Sequence, residues 1–160
     1  MADVQARALI EKLDLKPHPE GGWYREVHRS SERVQARRGD RSAITTIYYL
    51  LERKQISRWH VVEADEIWHF YEGAPLELVA YEPEARALSG TVLGNTTDDH
   101  ARAAVIRKGV WQAARSLGDF SLVGCSVGPG FDFEDFRFVA SVPGHRAHFE
   151  DKLAPWLSLL

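Results

Sequence analysis

From residue 43 onward, the sequence is a succession of short runs rich in aromatic and β-branched residues, separated by breaks that contain glycine, proline, asparagine or aspartate. Such runs are typical of β-strands, and none of the breaks has the periodicity of a helix. Eight strands are predicted, at residues 43–51, 59–62, 66–71, 76–81, 103–106, 111–115, 120–127 and 133–140. Eight short strands without intervening helices favour a closed or double-sheet antiparallel architecture, so we expect an all-β protein.

The flanking segments predict shorter elements. Residues 4–13 carry apolar side chains at helical spacing, which predicts a short helix against the outside of a sheet. Prolines and paired glycines end that helix, and residues 23–28 are predicted to form a further strand. A second short helix is expected at residues 144–154, and residues 82–100 are expected to form a long loop. No repeat or linker interrupts the sequence, which predicts a single domain over residues 1–160.

The composition argues against several classes of partner. The 160 residues carry a net charge of −3 with acidic and basic residues interspersed, so we expect no surface for a nucleic-acid backbone. The single cysteine, Cys125, lies in an apolar run and is expected to be buried and unpaired, which fits a reducing compartment. The first residues lack an apolar signal core, and no run approaches about 18 apolar residues. We therefore expect a cytoplasmic protein without a membrane partner.

Residues 57–73 concentrate the chemistry-bearing side chains of the sequence. Because side chains alternate along a strand, Glu66, Trp68 and Phe70 are predicted to share one face of the strand at 66–71, with His69 on the other face. His60 lies across a polar break from this strand. An antiparallel pairing of the two segments would bring its imidazole beside Glu66, although the sequence does not fix the register.

The spacing in this segment resembles the first motif of the cupin superfamily, in which two histidines, a glutamate and a glycine follow one another at set distances. His60 corresponds to the first histidine, Val62 stands at the position of the second, Glu66 corresponds to the glutamate, and Gly73 closes the motif. The sequence therefore keeps one of the two histidines of this motif.

A second cupin motif is present in altered form at residues 107–112. Gly109 is kept, whereas Arg107 replaces a proline and Gln112 replaces a histidine. Together with the segments at 18–26, 122–125 and 131–136, these motifs resemble one cupin subfamily of small single-domain proteins of undefined activity, called the fifth cupin family. The resemblance covers residues 9–139 and implies an antiparallel jelly-roll β-barrel.

The resemblance also implies an inward-facing site made by His60, Glu66 and Gln112. In a metal-binding cupin, these positions supply ligands to a divalent metal. Here they provide one nitrogen and two oxygens at best, which favours either no cofactor or weak binding of Mn, Fe, Ni or Zn. His69 adds a ligand only if a bulge turns it inward.

The same three residues suit acid–base chemistry without a metal. By resemblance to the metal-independent cupin epimerases and isomerases, His60 is expected to act as a general base on a carbohydrate or small carbonyl compound, with Glu66 orienting its imidazole. Gln112, Tyr24 or Tyr48 would donate a hydrogen bond to the developing oxyanion. Two alternatives stay open: a metal-dependent lyase or dioxygenase, and a ligand-binding or sensing domain without catalysis.

Further residues are candidates for contact with a small-molecule ligand. Four tryptophans near the motif positions would make an aromatic wall, and these are Trp23, Trp59, Trp68 and Trp111. His69 suits either a site or a packing role. Glu134 lies in a stretch that, by the resemblance, borders the pocket. Because cupins often pair through an edge strand, we also expect a homodimer in which residues 23–28 take part.

Overall fold

The computed structural model describes residues 2–141. In this part of the chain, one α-helix, α1 (Ala2–Lys12), precedes thirteen β-strands and three single 3-10 turns. The strands are β1 (Lys16–Pro17), β2 (Trp23–Arg29), β3 (Arg33–Ala36), β4 (Gly39–Ser42), β5 (Thr45–Glu52), β6 (Ile56–Val62), β7 (Asp65–Gly73), β8 (Leu76–Glu82), β9 (Ala87–Leu93), β10 (Ala103–Ile106), β11 (Trp111–Ser116), β12 (Phe120–Gly128) and β13 (Phe136–Phe138). The helix predicted at 144–154 lies outside the described residues.

Eleven of the strands form two sheets that enclose an apolar core, and β3 pairs with β4 in a separate two-stranded sheet. A six-stranded sheet has the order β1-β2-β5-β12-β7-β10, and a five-stranded sheet has the order β13-β6-β11-β8-β9. Neighbouring strands pair antiparallel throughout both sheets. Side chains from both sheets meet in one buried cluster, which includes Tyr49, Trp68, Leu78 and Ala114. The predicted all-β antiparallel barrel is therefore confirmed.

Helix α1 lies against the outer face of the six-stranded sheet. Ala6 and Leu15 pack with Leu50, Phe120 and Leu122 in a cluster separate from the main core. Leu50 alternates with the inward Tyr49 along β5, so the helix covers the opposite face of that strand. None of the helices in the described region is long and apolar enough to cross a membrane.

Most predicted strands are found, but two predicted segments differ. The predicted loop at 82–100 contains β9, whose residues are mostly exposed and therefore lack a buried periodic face. The predicted strand at 133–140 is divided into a 3-10 turn (Phe133–Asp135), β13 and a second 3-10 turn. Asp132 causes the first interruption, because its side chain accepts a hydrogen bond from the backbone N–H of Glu134 at 2.9 Å.

The strands that carry His60 and Glu66 do not pair with each other. Strand β6 pairs with β11 and β13 in one sheet, whereas β7 pairs with β12 and β10 in the other. The polar break between the two strands is thus a corner that carries the chain from one sheet to the next. His60 is directly opposite Gln112 on β11, and it approaches Glu66 across the barrel interior.

Candidate active site

A cavity of about 240 Å³ opens between the two sheets. Its wall is formed by side chains from β2, β5, β6, β7 and β12, together with the segments at 18–20 and 131–136. The titratable residues of its inner part are His18, Glu20, Tyr49, His60, Glu66 and Cys125. Because these groups are buried and converge on one enclosed space, this cavity is the candidate active site.

His60 has a fixed orientation on β6. The side chain is buried, and Nδ1 lies 2.7 Å from the backbone carbonyl oxygen of Arg58. A carbonyl only accepts, so Nδ1 carries a proton and donates it to this hydrogen bond. The imidazole stacks on the ring of Phe136, with centroids 5.1 Å apart and an interplanar angle of 24°. These two contacts direct Nε2 toward Glu20, whose Oε2 atom is 3.4 Å away.

Glu20 reaches the cavity from a loop that two glycines shape. Ser57 donates a hydrogen bond to Oε1 of Glu20 at 2.8 Å, and Tyr49 donates one to the backbone carbonyl of Gly21 at 2.7 Å. Gly21 has a φ of 114°, and a Cβ there would overlap the carbonyl oxygen of Ile56. A glycine is thus required for the loop to approach β6 closely enough to place the carboxylate beside His60.

His18 lies beside Glu20 and is held as a neutral imidazole. The backbone N–H of Glu20 donates a hydrogen bond to Nδ1 of His18 at 3.2 Å, so the ring proton is on Nε2. Burial lowers the pKa of His18; the charge of Glu20 opposes this effect, and that of His60 adds to it. Tyr24 and Tyr49 contact the ring edge-on, with centroid distances of 4.5 and 5.5 Å.

Glu66 is held by a directed chain of hydrogen bonds. Nε1 of Trp68 donates to Oε1 of Gln112 at 2.9 Å, and Nε2 of Gln112 donates to Oε2 of Glu66 at 2.5 Å. Burial raises the pKa of Glu66, although the charge of His60 and the hydrogen bond from Gln112 counteract it. Cys125 is next to this carboxylate, and burial raises the pKa of its thiol well above the ordinary value, so the thiol is neutral.

The residues at the cupin ligand positions do not fit a metal site. An indole N–H only donates, so the oxygen Oε1 of the Gln112 amide must face Trp68. Gln112 therefore directs its NH₂ group, which has no affinity for a cation, toward Glu66. Among residues 2–141, no three His, Cys, Asp or Glu side chains are grouped closely enough to hold a metal ion. The positions of His60, Glu66 and Gln112 give one fixed imidazole and one carboxylate.

Three of the residues proposed from the sequence meet at the cavity wall, and these are Tyr24, His60 and Glu66. Gln112 and Trp68 are buried behind Glu66 and act on it through the hydrogen bonds described above. The predicted alternation along β7 is confirmed, because Glu66, Trp68 and Phe70 are buried whereas Ile67 and Tyr71 are exposed.

The other proposed residues lie away from the cavity. Tyr48 lies on the outer face of the six-stranded sheet, 6.0 Å from the ring of Tyr71, and His69 is on the outer side of β7 by alternation. Trp59 and Trp111 belong to a separate buried cluster, on the face of the five-stranded sheet opposite His60. The side chain of Glu134 is exposed and forms an ion pair with Arg41 at 3.1 Å.

The structure brings in three residues that had no assigned role from the sequence: His18, Glu20 and Tyr49. Glu20 makes the contact with Nε2 of His60 that was expected of Glu66. Paired glycines directly after a carboxylate were the available signal for Glu20, because they mark a close approach of the backbone to another element. Alternation from the apolar positions of β5 was the corresponding signal for Tyr49.

Comparison with known proteins agrees with this architecture. The sequence matches the family described as Cupin_5, of the cupin superfamily (DUF985), over residues 7–139. A hypothetical protein from Leishmania major has a similar structure, with a TM-score of 0.80 and 29% sequence identity over 96% of each chain. A protein from Shewanella oneidensis has a TM-score of 0.77 and 33% identity over 91% of this chain and 94% of its own. No curated protein matches the sequence.

More distant similarity extends to a dTDP sugar isomerase from Desulfovibrio desulfuricans G20. That structure has a TM-score of 0.53 and 13% identity over 72% of this chain and 82% of its own. At this identity the two proteins share a fold and nothing further follows. The family match is stronger evidence than this distant similarity, because it covers most of the chain and includes both altered motifs. The chain belongs to the cupin superfamily, in the family described as Cupin_5 (DUF985).

Proposed function

We propose that the cavity binds a small carbonyl compound or carbohydrate and that the protein isomerises or epimerises it by proton transfer, without a metal. The observation that carries this proposal is the pairing of His60 with Glu20 inside the cavity, with 3.4 Å between Nε2 and Oε2. An imidazole beside a carboxylate in an enclosed site is suited to general acid–base catalysis.

The proton positions define how this pair would work. Nδ1 of His60 donates to a backbone carbonyl, so Nε2 is the atom that gains or loses a proton. In its neutral form the imidazole has an unprotonated Nε2 atom, which accepts a proton from the carbon next to the substrate carbonyl. The imidazolium that forms is stabilised by the adjacent carboxylate of Glu20.

His18 and Tyr24 would stabilise the negative charge that develops on the carbonyl oxygen of the substrate. As the C–H bond breaks, its electron pair moves toward the carbonyl and negative charge develops on the oxygen. The neutral His18 has its proton on Nε2, and Tyr24 lines the same cavity, so either group would donate to that oxygen. Protonation of the same carbon from the opposite face by a second acid, the role proposed for the Tyr24 hydroxyl, gives an epimer, after which Tyr24 and His60 recover their resting protonation by exchange with solvent. Return of the proton from His60 to the former carbonyl carbon, with the hydroxyl proton of the first carbon moving to the former carbonyl oxygen, gives an isomer.

Carbon-bound hydrogen exchange tests this proposal even when the product of the reaction is unidentified. Small aldoses and ketoses are incubated with the protein in D₂O, and deuterium at the carbon next to the carbonyl is followed by NMR. Proton abstraction by His60 predicts exchange with the wild type and a loss of about 10²-fold or more in folded His60→Asn. Exchange at the wild-type rate in His60→Asn contradicts the proposal.

A second function, ligand binding without catalysis, is favoured by the rigid surroundings of Glu66. Trp68 and Gln112 fix this carboxylate in one orientation through two hydrogen bonds, an arrangement suited to recognition. A ligand that binds tightly in the cavity, with no exchange of its carbon-bound hydrogens, would favour this function over the first.

We also propose a homodimer that uses the edge of the six-stranded sheet. Strand β1 pairs with only Trp23 and Tyr24 of β2, so the backbone edge of residues 25–29 lacks a partner strand within residues 2–141. Val27, on this segment, is 47% exposed. An open edge with an exposed apolar residue suits pairing with a second copy. A cytoplasmic location stays a prediction from the sequence.

A further inference from the structure

Glu66 is a buried carboxylate that forms no ion pair within residues 2–141. Its side chain lines the cavity, and the residue is 7% exposed. The groups that contact it are the amide of Gln112 and the neutral thiol of Cys125. Buried carboxylates in proteins are normally paired with a cation, because neutral donors replace only part of the hydration that burial removes. An ionised Glu66 therefore needs a positive charge in the cavity.

The other charged groups of the cavity are each directed toward a partner other than Glu66. The guanidinium of Arg29 is bound by Glu26 through two hydrogen bonds of 3.0 and 2.8 Å. The charge of His60 favours an ionised Glu66, but its Nε2 atom is directed at Glu20, 3.4 Å away, and makes no ion pair with Glu66. His18 is held neutral by burial and by the hydrogen bond to its Nδ1 atom. After these pairings Glu66 is the carboxylate of the described lining that is left without a cation, whereas Asp132, nearer the mouth, is close enough to Arg41 to interact with its charge.

The mouth of the cavity has a second feature that favours a cationic ligand. Phe131, Phe133 and Phe136 contact one another edge to face, with centroid distances of 5.0, 6.0 and 6.4 Å. All three line the cavity, and Asp132 is between the first two in sequence. Aromatic ring faces attract cations, and a nearby carboxylate strengthens this attraction.

We propose that the ligand of this cavity carries a basic nitrogen, and that its ammonium group binds the carboxylate of Glu66. Resting on the proposed function, this inference narrows the substrate class to amino sugars and small amino carbonyl compounds. The ammonium then supplies the missing counter-charge, while the carbonyl carbon faces His60. Metal ions are a poorer occupant, because Gln112 presents its NH₂ group beside Glu66.

Matched pairs of small molecules test the inference. Binding to the ligand-free protein is measured by calorimetry at pH 6.5 for D-glucosamine against D-glucose and N-acetyl-D-glucosamine, and for ethanolamine against ethylene glycol. D-glucuronate serves as the anionic probe. We expect at least one amine to bind tenfold or more tightly than its neutral partners, and the acid not to bind. The inference is overturned if neither amine binds more tightly than its neutral partners.

Variants test whether the preference for amines depends on the carboxylate of Glu66. Glu66→Gln should reduce the amine preference tenfold or more, whereas Glu72→Gln, an exposed carboxylate on the same strand, should leave it unchanged. An unchanged preference in folded Glu66→Gln overturns the assignment. Should that variant fail to fold, the shift in wild-type melting temperature with each amine and its neutral partner repeats the test of the amine preference itself, and an equal shift for both overturns the inference.

The two proposals can fail separately. Exchange of carbon-bound hydrogen on neutral sugars, dependent on His60 but without preference for amines, would retain the proposed function and overturn this inference. Tight, Glu66-dependent binding of an amine without any hydrogen exchange would retain the inference and overturn the proposed function.

Discussion

The Nε2 atom of His60 lies 3.4 Å from Oε2 of Glu20, although the two residues come from different parts of the chain and different structural elements. His60 is on a strand of the five-stranded sheet, and Glu20 is on the loop before β2. A hydrogen bond from Ser57 fixes the carboxylate of Glu20, and a hydrogen bond to the backbone carbonyl of Arg58 fixes the imidazole of His60. This pair is the chemical centre of the cavity, and the following predictions test the groups around it.

His18 makes stability depend on pH. Its pKa in the folded protein is below the ordinary value of 6.5, so between these two pKa values the unfolded chain binds more protons than the folded protein. The free energy of unfolding therefore falls as the pH drops below 6.5. We expect the melting temperature of His18→Asn to change less between pH 7 and pH 5 than that of the wild type. The exposed His28→Asn is the control, and an equal pH slope in wild type and His18→Asn contradicts the prediction.

The contribution of Glu66 to the free energy of unfolding changes with pH in the opposite direction. Burial raises its folded pKa above the ordinary value of 4.5, so the folded state keeps a proton that the unfolded chain has lost. This group therefore lowers the free energy of unfolding as the pH rises through that range. Without ligand, Glu66→Gln should melt at a higher temperature than the wild type at pH 7 and at a similar temperature at pH 4. A stabilisation of equal size at both pH values would show that ionisation is not its cause.

The alternation of β7 was predictable, whereas the partners of its inward residues were not. Period-two spacing places Glu66 and Trp68 on one face wherever the strand lies in the fold. Which way the amide of Gln112 points depends on Trp68, a contact between β7 and β11 that joins the two sheets. The cupin motif alone therefore left Gln112 open as an oxygen ligand or as a hydrogen-bond donor, and in the structure its NH₂ group donates to Glu66.

The order of the strands in the two sheets could not be predicted either, because strands far apart in the sequence pair with one another. Residues 59–62 and 66–71 are separated by a short polar break, which predicts a hairpin as readily as a corner between sheets. The structure has the corner, and this places His60 opposite Gln112 and toward the loop that carries Glu20. Most of the longer strands followed from local composition and were predicted within about three residues of their bounds, whereas β1, β3, β4 and β9 were not predicted and only Phe136–Phe138 of the last predicted strand is extended.

The hydrogen bond from Trp68 to Gln112 is expected to stabilise the fold. Trp68→Phe removes the indole donor and leaves the buried amide oxygen unsatisfied, which costs about 1–3 kcal/mol in the free energy of unfolding. Denaturant unfolding of Trp68→Phe, Gln112→Leu and the double variant measures the coupling between the two side chains. We expect a coupling energy of roughly 1 kcal/mol. Strict additivity of the two single effects would contradict the role given to this bond.

The proposed dimer makes a prediction about one sheet edge. Val27→Lys places a charge on the open part of β2, where it disfavours pairing with another strand. Sedimentation equilibrium should give a dimer for the wild type and a monomer for Val27→Lys. Val105→Lys, at a 60% exposed position on the opposite edge strand β10, is the control and should stay dimeric. A monomeric wild type at micromolar concentration contradicts the proposal.

The most direct measurement of the central claim is the rate of carbon-bound hydrogen exchange in Glu20→Gln. Glutamine keeps the size of the side chain but leaves the imidazolium of His60 without its carboxylate partner. The account predicts a rate lowered by roughly 10²-fold or more at saturating substrate, with Glu11→Gln on the exposed side of α1 unchanged. Wild-type exchange in a folded Glu20→Gln variant would contradict the account, because the proton-transfer pair it describes would then not be needed.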